Sequence, residues 1–488
     1  MTDGANRVAT LESALQQFCV RLKAEPDAID ALFGKAQLLA LLGRDEEAKQ
    51  AFLAVLRLEP THLGVLTDLG GLSLATGYHS AALTLYRQAV ECHPQCATAH
   101  VNLANLLSDE SDPSEARRHY ETALKLNPGL AFAHQGLAVV LAKFGEHASA
   151  EEHRKKGFVG HSIVARPFRG DGKPVSVLLI VSALGGNIPT ELLLDGRIFA
   201  VSALYAEYHD PTQPLPPHDI VFNAVGDADL CARALDEIPR ILARTKAPVI
   251  NPPERILPTG RSANAERFAA IDDVIVPRTS LFSRKSLERP DIAETLHEQG
   301  FTFPLLLRAP GFHTGQHFLR ADNAAEFSAA VSQLPGDQLF VIQYLDARGA
   351  DGLARKYRAM IIDGVLYPLH LALSQFWKVH YFTSDMAAEP AHRQEEAAFL
   401  SDMASVLGPK VLQSLMRLCE ALQLDYGGID FGVSQDGRVL LFEANATMVI
   451  APPTPEPMWD YRREAVSRAL EAARQMVIAR AAKRPSRS

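Results

Sequence analysis

Asp430, Glu443 and Asn445 are the residues of this chain whose types and spacing most clearly point to shared chemistry. They lie in the run Gly427-Gly428-Ile429-Asp430-Phe431-Gly432-Val433-Ser434-Gln435-Asp436-Gly437-Arg438-Val439-Leu440-Leu441-Phe442-Glu443-Ala444-Asn445. Asp436-Gly437 predicts a two-residue hairpin loop, because both residues tolerate the positive φ that such turns need. With Gln435 opposite Arg438, pairing places Asp430 opposite Glu443 and Asn445 two residues further along the same side. Phe431 then faces Phe442, and Val433 faces Leu440, on the core side. Two carboxylates opposed at a Cβ separation of about 4.5–5.5 Å repel one another unless a cation lies between them. Carboxylate and amide oxygens without Cys or His suit a hard ion, which makes Mg²⁺ (or Mn²⁺) carried with nucleotide phosphates the expected occupant. A merely solvated hairpin face is the alternative, and the glycine-rich and apolar neighbours of both acids argue against it.

The elements that must position this hairpin read as an α/β assembly. Val175–Val181 is a continuous apolar, β-branched run followed by the loop Leu184-Gly185-Gly186-Asn187. Asp219–Gly226 is a second strand, 228–244 a helix and Ala247–Asn251 a third strand. Strands alternating with helices predict a parallel sheet. A Gly-, Pro- and base-rich stretch before it, from Gly157 to Pro174, reads as a linker.

From here the chain resembles the ATP-grasp superfamily, of the carboxylate–amine ligase, glutathione synthetase type. The resemblance runs over about residues 175–450. It is carried by Asn251-Pro252-Pro253, Thr259-Gly260-Arg261, Val274–Thr279, Phe303–Gly315, Leu339–Asp346, Lys356–Gly364 and the hairpin, in that order. It implies an α/β pre-ATP-grasp domain over 175–255 and an α+β ATP-grasp domain over 256–480, with ATP and Mg²⁺ as cofactors. Asp430, Glu443 and Asn445 become the metal ligands. Arg308, and with it Arg261, stands where the family places a lysine, and a guanidinium can still clamp phosphate oxygens. Gly311 to Gly315 becomes a phosphate-covering loop. Gln343, Tyr344 and Leu345 are expected to offer main-chain bonds to adenine, Asp346 or Asp351 to meet the ribose, and Arg358 to touch the transferring phosphoryl group. Lys378 and His380, in Pro368–Tyr381, are expected on the acceptor side, binding a substrate carboxylate or helping to deprotonate an amine.

No Walker A pattern, dinucleotide glycine motif, nucleophile elbow or zinc-protease helix occurs. The resemblance therefore implies ATP-dependent joining of a carboxylate to an amine through an acyl phosphate, with release of ADP and phosphate. Two other readings stay open: a phosphotransferase with a hydroxyl acceptor, and a nucleotide-sensing scaffold without turnover.

The first third of the chain has a different logic. Small residues recur at Ala14, Ala48, Ala82, Ala116 and Ala150, aromatics at Phe18, Phe52, Tyr86 and Tyr120, and prolines at Pro26, Pro60, Pro94 and Pro128, always 34 residues apart. Ala36, Gly70, Ala104 and Ala138 keep the same interval, and Gly43, Gly77 and Gly145 mark turns. This resembles the tetratricopeptide repeat, in which paired antiparallel helices pack through small residues. The expectation is an all-α solenoid over 1–156, with a half repeat, three full repeats and a fourth. Its concave face would bind a peptide or protein. Asn102, Asn105, His134 and Gln135 fall on first helices of their pairs, where such a groove is lined. Cys92, Cys96 and His100 invite a zinc reading, but they coincide with a repeat boundary and lack a second ligand pair.

Composition sets outer bounds. The 488 residues are 47% hydrophobic with a net charge of −8, as expected of a folded multidomain chain that is not a general binder of nucleic acid or anionic membranes. Five scattered cysteines and the lack of a membrane-length apolar run suggest a cytoplasmic setting. Residues 481–488 read as a short basic tail.

Overall fold

A computed structural model of the chain describes residues 3–109, 112–311, 316–379 and 384–483, with side chains from residue 9 onward. The chain divides into two compact units. The first comprises Met1–Ser176 and Asp195–Pro214, the second Val177–Leu194 and Leu215–Ser488.

In the first unit, consecutive helices are α1 (Asp3–Ala24), α2 (Ile29–Leu41), α3 (Asp45–Leu58), α4 (Leu63–Ala75), α5 (His79–Cys92), α6 (Ala97–Asp109), α7 (Pro113–Leu126), α8 (Ala131–Lys143) and α9 (His147–Phe158). The periodic small residues explain the packing. Ala48, Ala82, Ala116 and Ala150 are wholly buried, and Phe52, Tyr86 and Tyr120 are buried as well. A Cβ on Gly70 would lie 2.4 Å from the Tyr86 ring, so the absence of a side chain is what lets that ring in. Gly43, Gly77 and Gly145 adopt φ of 72°, 84° and 77°, the left-handed turn that ends α2, α4 and α8. The third repeat has no such glycine. Its substitute is an N-cap, with the Asp112 carboxylate accepting from the Glu115 N–H at 2.9 Å and Pro113 opening α7.

The stretch expected to be a linker is not structureless: α9 reaches Phe158, and β1 (Ile163–Ala165) lies within it. The chain continues through β2 (Val175–Val181) and β3 (Phe199–Tyr205), and β1 pairs antiparallel with β3. Sequence reading passed over β3. Phe158 packs against Tyr205 at 4.3 Å and stacks on Tyr208 at 5.5 Å between ring centroids.

In the second unit β2, β4 (Ile220–Asn223) and β5 (Val249–Ile250) are parallel, with helix Ala232–Leu242 between the last two. Beyond them come β6 (Val274–Ile275), β7 (Thr279–Ser283), β8 (Leu305–Arg308), β9 (Phe318–Ala321), β10 (Gln338–Gln343), β11 (Ala354–Ile362), β12 (Val365–Ser374), β13 (Tyr426–Val433) and β14 (Val439–Asn445). They form an antiparallel sheet of order β7-β10-β8-β9 and a mixed sheet of order β12-β11-β13-β14-β6, in which only β6 runs parallel to its neighbour. Leu305, Leu307, Leu339 and Val341 close the first sheet over helix Ala324–Gln333 through Phe327 and Val331. Such side chains contribute about 1.5–3 kcal/mol each on full burial. The chain ends in helix Arg463–Ala482, so the expected tail starts inside a helix; Arg484 and Arg487 lie outside the described residues. Among the described residues no helix is long and apolar enough to cross a membrane.

Candidate functional site

The hairpin of β13 and β14 sets Asp430 opposite Glu443, as the sequence predicts, but it does so by a different route. The loop holds three residues, not two. Ser434 N–H bonds Arg438 O at 2.9 Å, and Gly437, at φ 78°, donates its N–H to Ser434 O at 2.9 Å. That shifts the register by one, so Phe431 faces Leu441 and Val433 faces Val439, in place of the expected Phe442 and Leu440. A bulge between Asp430 and Phe431 then restores the register, and Gly428 pairs with Asn445. The two departures cancel at the acids.

Asp430 is fully buried and ionised. Arg358 grips it with two hydrogen bonds, Nε to Oδ1 at 2.5 Å and Nη2 to Oδ2 at 2.8 Å, and the Lys356 ammonium stands 2.6 Å from the same Oδ2. Burial alone would raise this carboxyl, but the Arg358 and Lys356 charges outweigh it and hold it well below the usual range. The β11 strand dictates this arrangement. Lys356 and Arg358 are two residues apart and share a face, while Tyr357 points the other way and stacks on Phe431 at 5.2 Å. Arg358 is paired in the ladder with His370 of β12, whose imidazole is pushed well below its ordinary value by burial and by the Arg358 charge.

Glu443 is held by a second cation. Arg261 Nη2 lies 2.9 Å from its Oε1, and Asn445 Nδ2 donates to the same oxygen at 3.0 Å. Burial opposes its ionisation, yet Arg261 and then Arg308 keep it below the normal carboxylate range. Arg261 also reaches Asp229 at 3.5 Å. Burial raises the Asp229 carboxyl. Arg308, the last residue of β8, lies 5.7 Å from the Phe318 ring centre, and burial together with the Arg261 charge depresses its basicity. Four cations, Lys356, Arg358, Arg261 and Arg308, thus surround two opposed carboxylates.

These oxygens fit a hard divalent ion by type and by ionisation. Their lone pairs are engaged by guanidinium and ammonium groups, and the Asn445 Oδ1 accepts from Thr447 N–H at 3.0 Å and Oγ1 at 2.9 Å. A metal here has to displace those donors. Groups of three or more His, Cys, Asp or Glu with metal-site geometry are absent among the described residues. Of the residues in the zinc reading, His100 instead bonds His119 and the Pro94 carbonyl.

Other expected site residues fare unevenly. Arg358, expected on a phosphoryl group, is committed to Asp430. The Gln343 N–H bonds Arg278 O at 2.9 Å and the Tyr344 N–H bonds Pro304 O at 3.3 Å, so neither donor is reserved for a base. The Gln343 side-chain oxygen accepts from Thr302 N–H at 3.0 Å, and its Nε2 donates to Thr302 O at 2.9 Å. Asp346 is held by Arg348 at 2.5 Å and Asp351 by Arg355 at 2.8 Å, both in exposed local ion pairs. Leu345 follows in the same connection and Gly311, at φ 79°, begins the expected loop. Lys378 donates to Phe318 O at 3.4 Å, and burial and Arg308 lower its basicity. Gly315 and His380 lie outside the described residues. Sequence reading assigned no role to Lys356, His370 or Asp229. Alternation along Lys356-Tyr357-Arg358 is the signal that finds the first. In the array, Asn105 accepts from Tyr120 O–H at 2.6 Å, so it serves the repeat interface.

The tetratricopeptide repeat family matches residues 29–62 and 97–130. Those two segments are tetratricopeptide repeats. The described helices between and after them, through Phe158, continue the same helical-pair pattern. Solved structures similar to it include "Crystal structure of MamA protein", 18% identical, covering 32% of this chain and 92% of that one at a TM-score of 0.28. Another is "MamA 41-end from Desulfovibrio magneticus RS-1", at 23% identity, with 32% and 95% covered and a TM-score of 0.28. "Crystal structure of YrrB: a TPR protein with an unusual peptide-binding site" is 24% identical, with 32% and 81% covered and a TM-score of 0.27. No curated protein matches the sequence.

Proposed function

We propose that the second unit is an ATP- and Mg²⁺-dependent carboxylate–amine ligase of the ATP-grasp type, and that the repeats recruit its peptide or protein partner. The observation that carries the proposal is the pairing of two opposed, ionised carboxylates with four surrounding cations. Asp229 and Asp227 face the same cations through Arg261, while burial and the Arg261 charge disfavour the Arg308 cation where it stands. A polyphosphate would draw the Arg308, Arg261 and Lys356 charges to its own oxygens. Asp430 and Glu443 are then released toward a hard ion, and Asn445 beside them adds an amide.

Mg²⁺, when bound, would neutralise charge on the phosphoryl oxygens. The chain's own residues do the rest by position. Arg358 keeps Asp430 oriented while Lys356, Arg261 and Arg308 turn to the phosphate oxygens, and neutral His370 backs Arg358 without adding charge. A substrate carboxylate oxygen attacks the γ-phosphorus and ADP leaves; the amine then attacks the acyl carbon and phosphate leaves. Lys378 and His380 are the proposed acceptor-side groups. Repeat arrays present extended concave surfaces to partners, which supports recruitment as the role of the first unit.

The test is ADP release in a screen of acids and amines. Turnover is expected only with both co-substrates and Mg²⁺, and Glu443→Gln should abolish it while leaving the helical and sheet content unchanged. Undiminished ADP release by that variant, or release that needs no amine, sinks the ligase reading.

A further inference from the structure

The third and fourth repeats carry a buried feature that the first two lack. His100 of α6 and His119 of α7 approach Nδ1 to Nδ1 at 2.9 Å, and His134 of α8 and His153 of α9 do the same at 2.8 Å. Both pairs repeat at the 34-residue interval. The equivalent places one repeat earlier hold Leu66 and Leu85, and two repeats earlier Leu32 and Ala51. An aliphatic contact between the two helices of a repeat has been replaced twice by a polar one. His100 and His134 are buried.

The hydrogen atoms of each pair are fixed by their partners. His100 Nε2 faces the Pro94 carbonyl at 3.0 Å and His134 Nε2 faces the Pro128 carbonyl at 3.0 Å. A carbonyl only accepts, so both Nε2 atoms carry hydrogen, and in the neutral ring Nδ1 is bare. The hydrogen between the rings therefore belongs to His119 and His153, whose own Nε2 atoms are bare. A first proton can add at that outer nitrogen and leave the bridge standing. A second has no place except the bridge, where two N–H groups would then collide.

The surrounding charges are mixed. Around the first pair stand Glu115, whose Oε1 is 3.9 Å from His119 Nε2, Arg118 of the same helix, and Arg87 of α5, which pairs with Glu115 at 3.1 Å. Around the second stand Glu152 and Lys156 of α9 and Glu121 of α7, the last also paired with Arg117. Neither pair is enclosed by enough negative charge to welcome two protons.

We propose that the third and fourth repeats form a proton-sensitive half of the array: acidification loosens the α6–α7 and α8–α9 packing that neutral histidine pairs hold, and with it that half's grip on a partner. Burial, and then the facing histidine, lower both His119 and His153. The unfolded chain therefore binds more protons below the ordinary histidine value near pH 6.5. The stabilisation is complete above that pH; the first proton draws on it as pH falls through the depressed values of His119 and His153, and the second, which breaks the bridge, adds to the loss at lower pH.

The experiment is hydrogen exchange on the full chain at pH 7.5 and 5.0, corrected for intrinsic rates. A His62→Asn background replaces the histidine cap of α4, where Nδ1 accepts from Val65 N–H at 3.2 Å, with a non-titrating one. Protection over residues 97–158 should fall, by at most about thirtyfold for each depressed histidine at pH 5.0, while residues 29–92 hold theirs. Replacing all four histidines with leucine should erase the difference. Equal loss in both halves, or a loss that survives the four leucines, overturns the proposal. Should the leucine variant not fold, ring nitrogen NMR of the full chain decides instead. At pH 7.5 hydrogen is expected on Nε2 of His100 and His134 and on Nδ1 of His119 and His153, and any other distribution rules the device out.

Discussion

The repeat array and the β11–β13–β14 sheet face solve opposite problems. In the array, Ala48, Ala82, Ala116 and Ala150 are buried, Gly70 and Gly136 make room for Tyr86 and Tyr120, and stability comes from shape and apolar burial. On the sheet face, buried Asp430 sits against Lys356 and Arg358, and Glu443 against Arg261. Charges taken from water repay little net stability even when well paired, and removing one partner is costly. The lesson is that the first region is arranged to be stable, while the second keeps a set of exchangeable charges in a place where apolar packing would serve stability better.

Breaking that comparison should start at the acid. Asp430→Ala leaves Lys356 and Arg358 without their buried counter-charge, and a loss of about 3–5 kcal/mol is expected in denaturant unfolding of the second unit. In the array the largest effect is of similar size but apolar origin. Phe52→Ala, at a fully buried ring, should cost about 3–5 kcal/mol through lost burial and the cavity left behind. Salt separates the two causes, since Phe52→Ala should respond to neither salt nor pH.

The hairpin shows how much of this was legible in sequence and why the rest was not. The opposition of Asp430 and Glu443 followed from the Asp436-Gly437 signal, although the loop carries an extra residue and the strand a compensating bulge. Sequence alternation fixes which side chains share a face but is blind to paired irregularities that cancel. The 34-residue period was readable because each repeat repeats one packing problem. Strand β3 was missed because it lies in what read as a connection, even though Phe199, Val201 and Ala203 alternate inward. Partners such as Lys356 to Asp430, far apart in sequence, need the sheet order before they can be named.

Acid sharpens the contrast further. Asp430 and Glu443 both titrate below their ordinary values in the folded state, so the unfolded chain binds more protons at low pH. Their stabilisation is fully present above about pH 5 and should be lost as pH falls below 4, measured as unfolding of the second unit with the sheet signal. Asp430→Asn should flatten that acid limb; an unchanged limb would mean these carboxylates do not govern it. The smallest effect is local. Gly437→Ala, at φ 78°, should cost about 1–2 kcal/mol through left-handed strain at the loop, with the acids' register intact. In the array, Asp112→Ala should remove a cap worth about 1 kcal/mol.

The most direct test of the exchangeable-charge account is calorimetric titration of the full chain with ATP, with and without Mg²⁺, in wild type and Glu443→Gln. The account predicts binding to wild type that is at least about tenfold tighter with Mg²⁺, a gain of about 1.4 kcal/mol, and loss of that gain in the variant. Equal affinity with and without Mg²⁺, or an unaltered metal effect in Glu443→Gln, would contradict it.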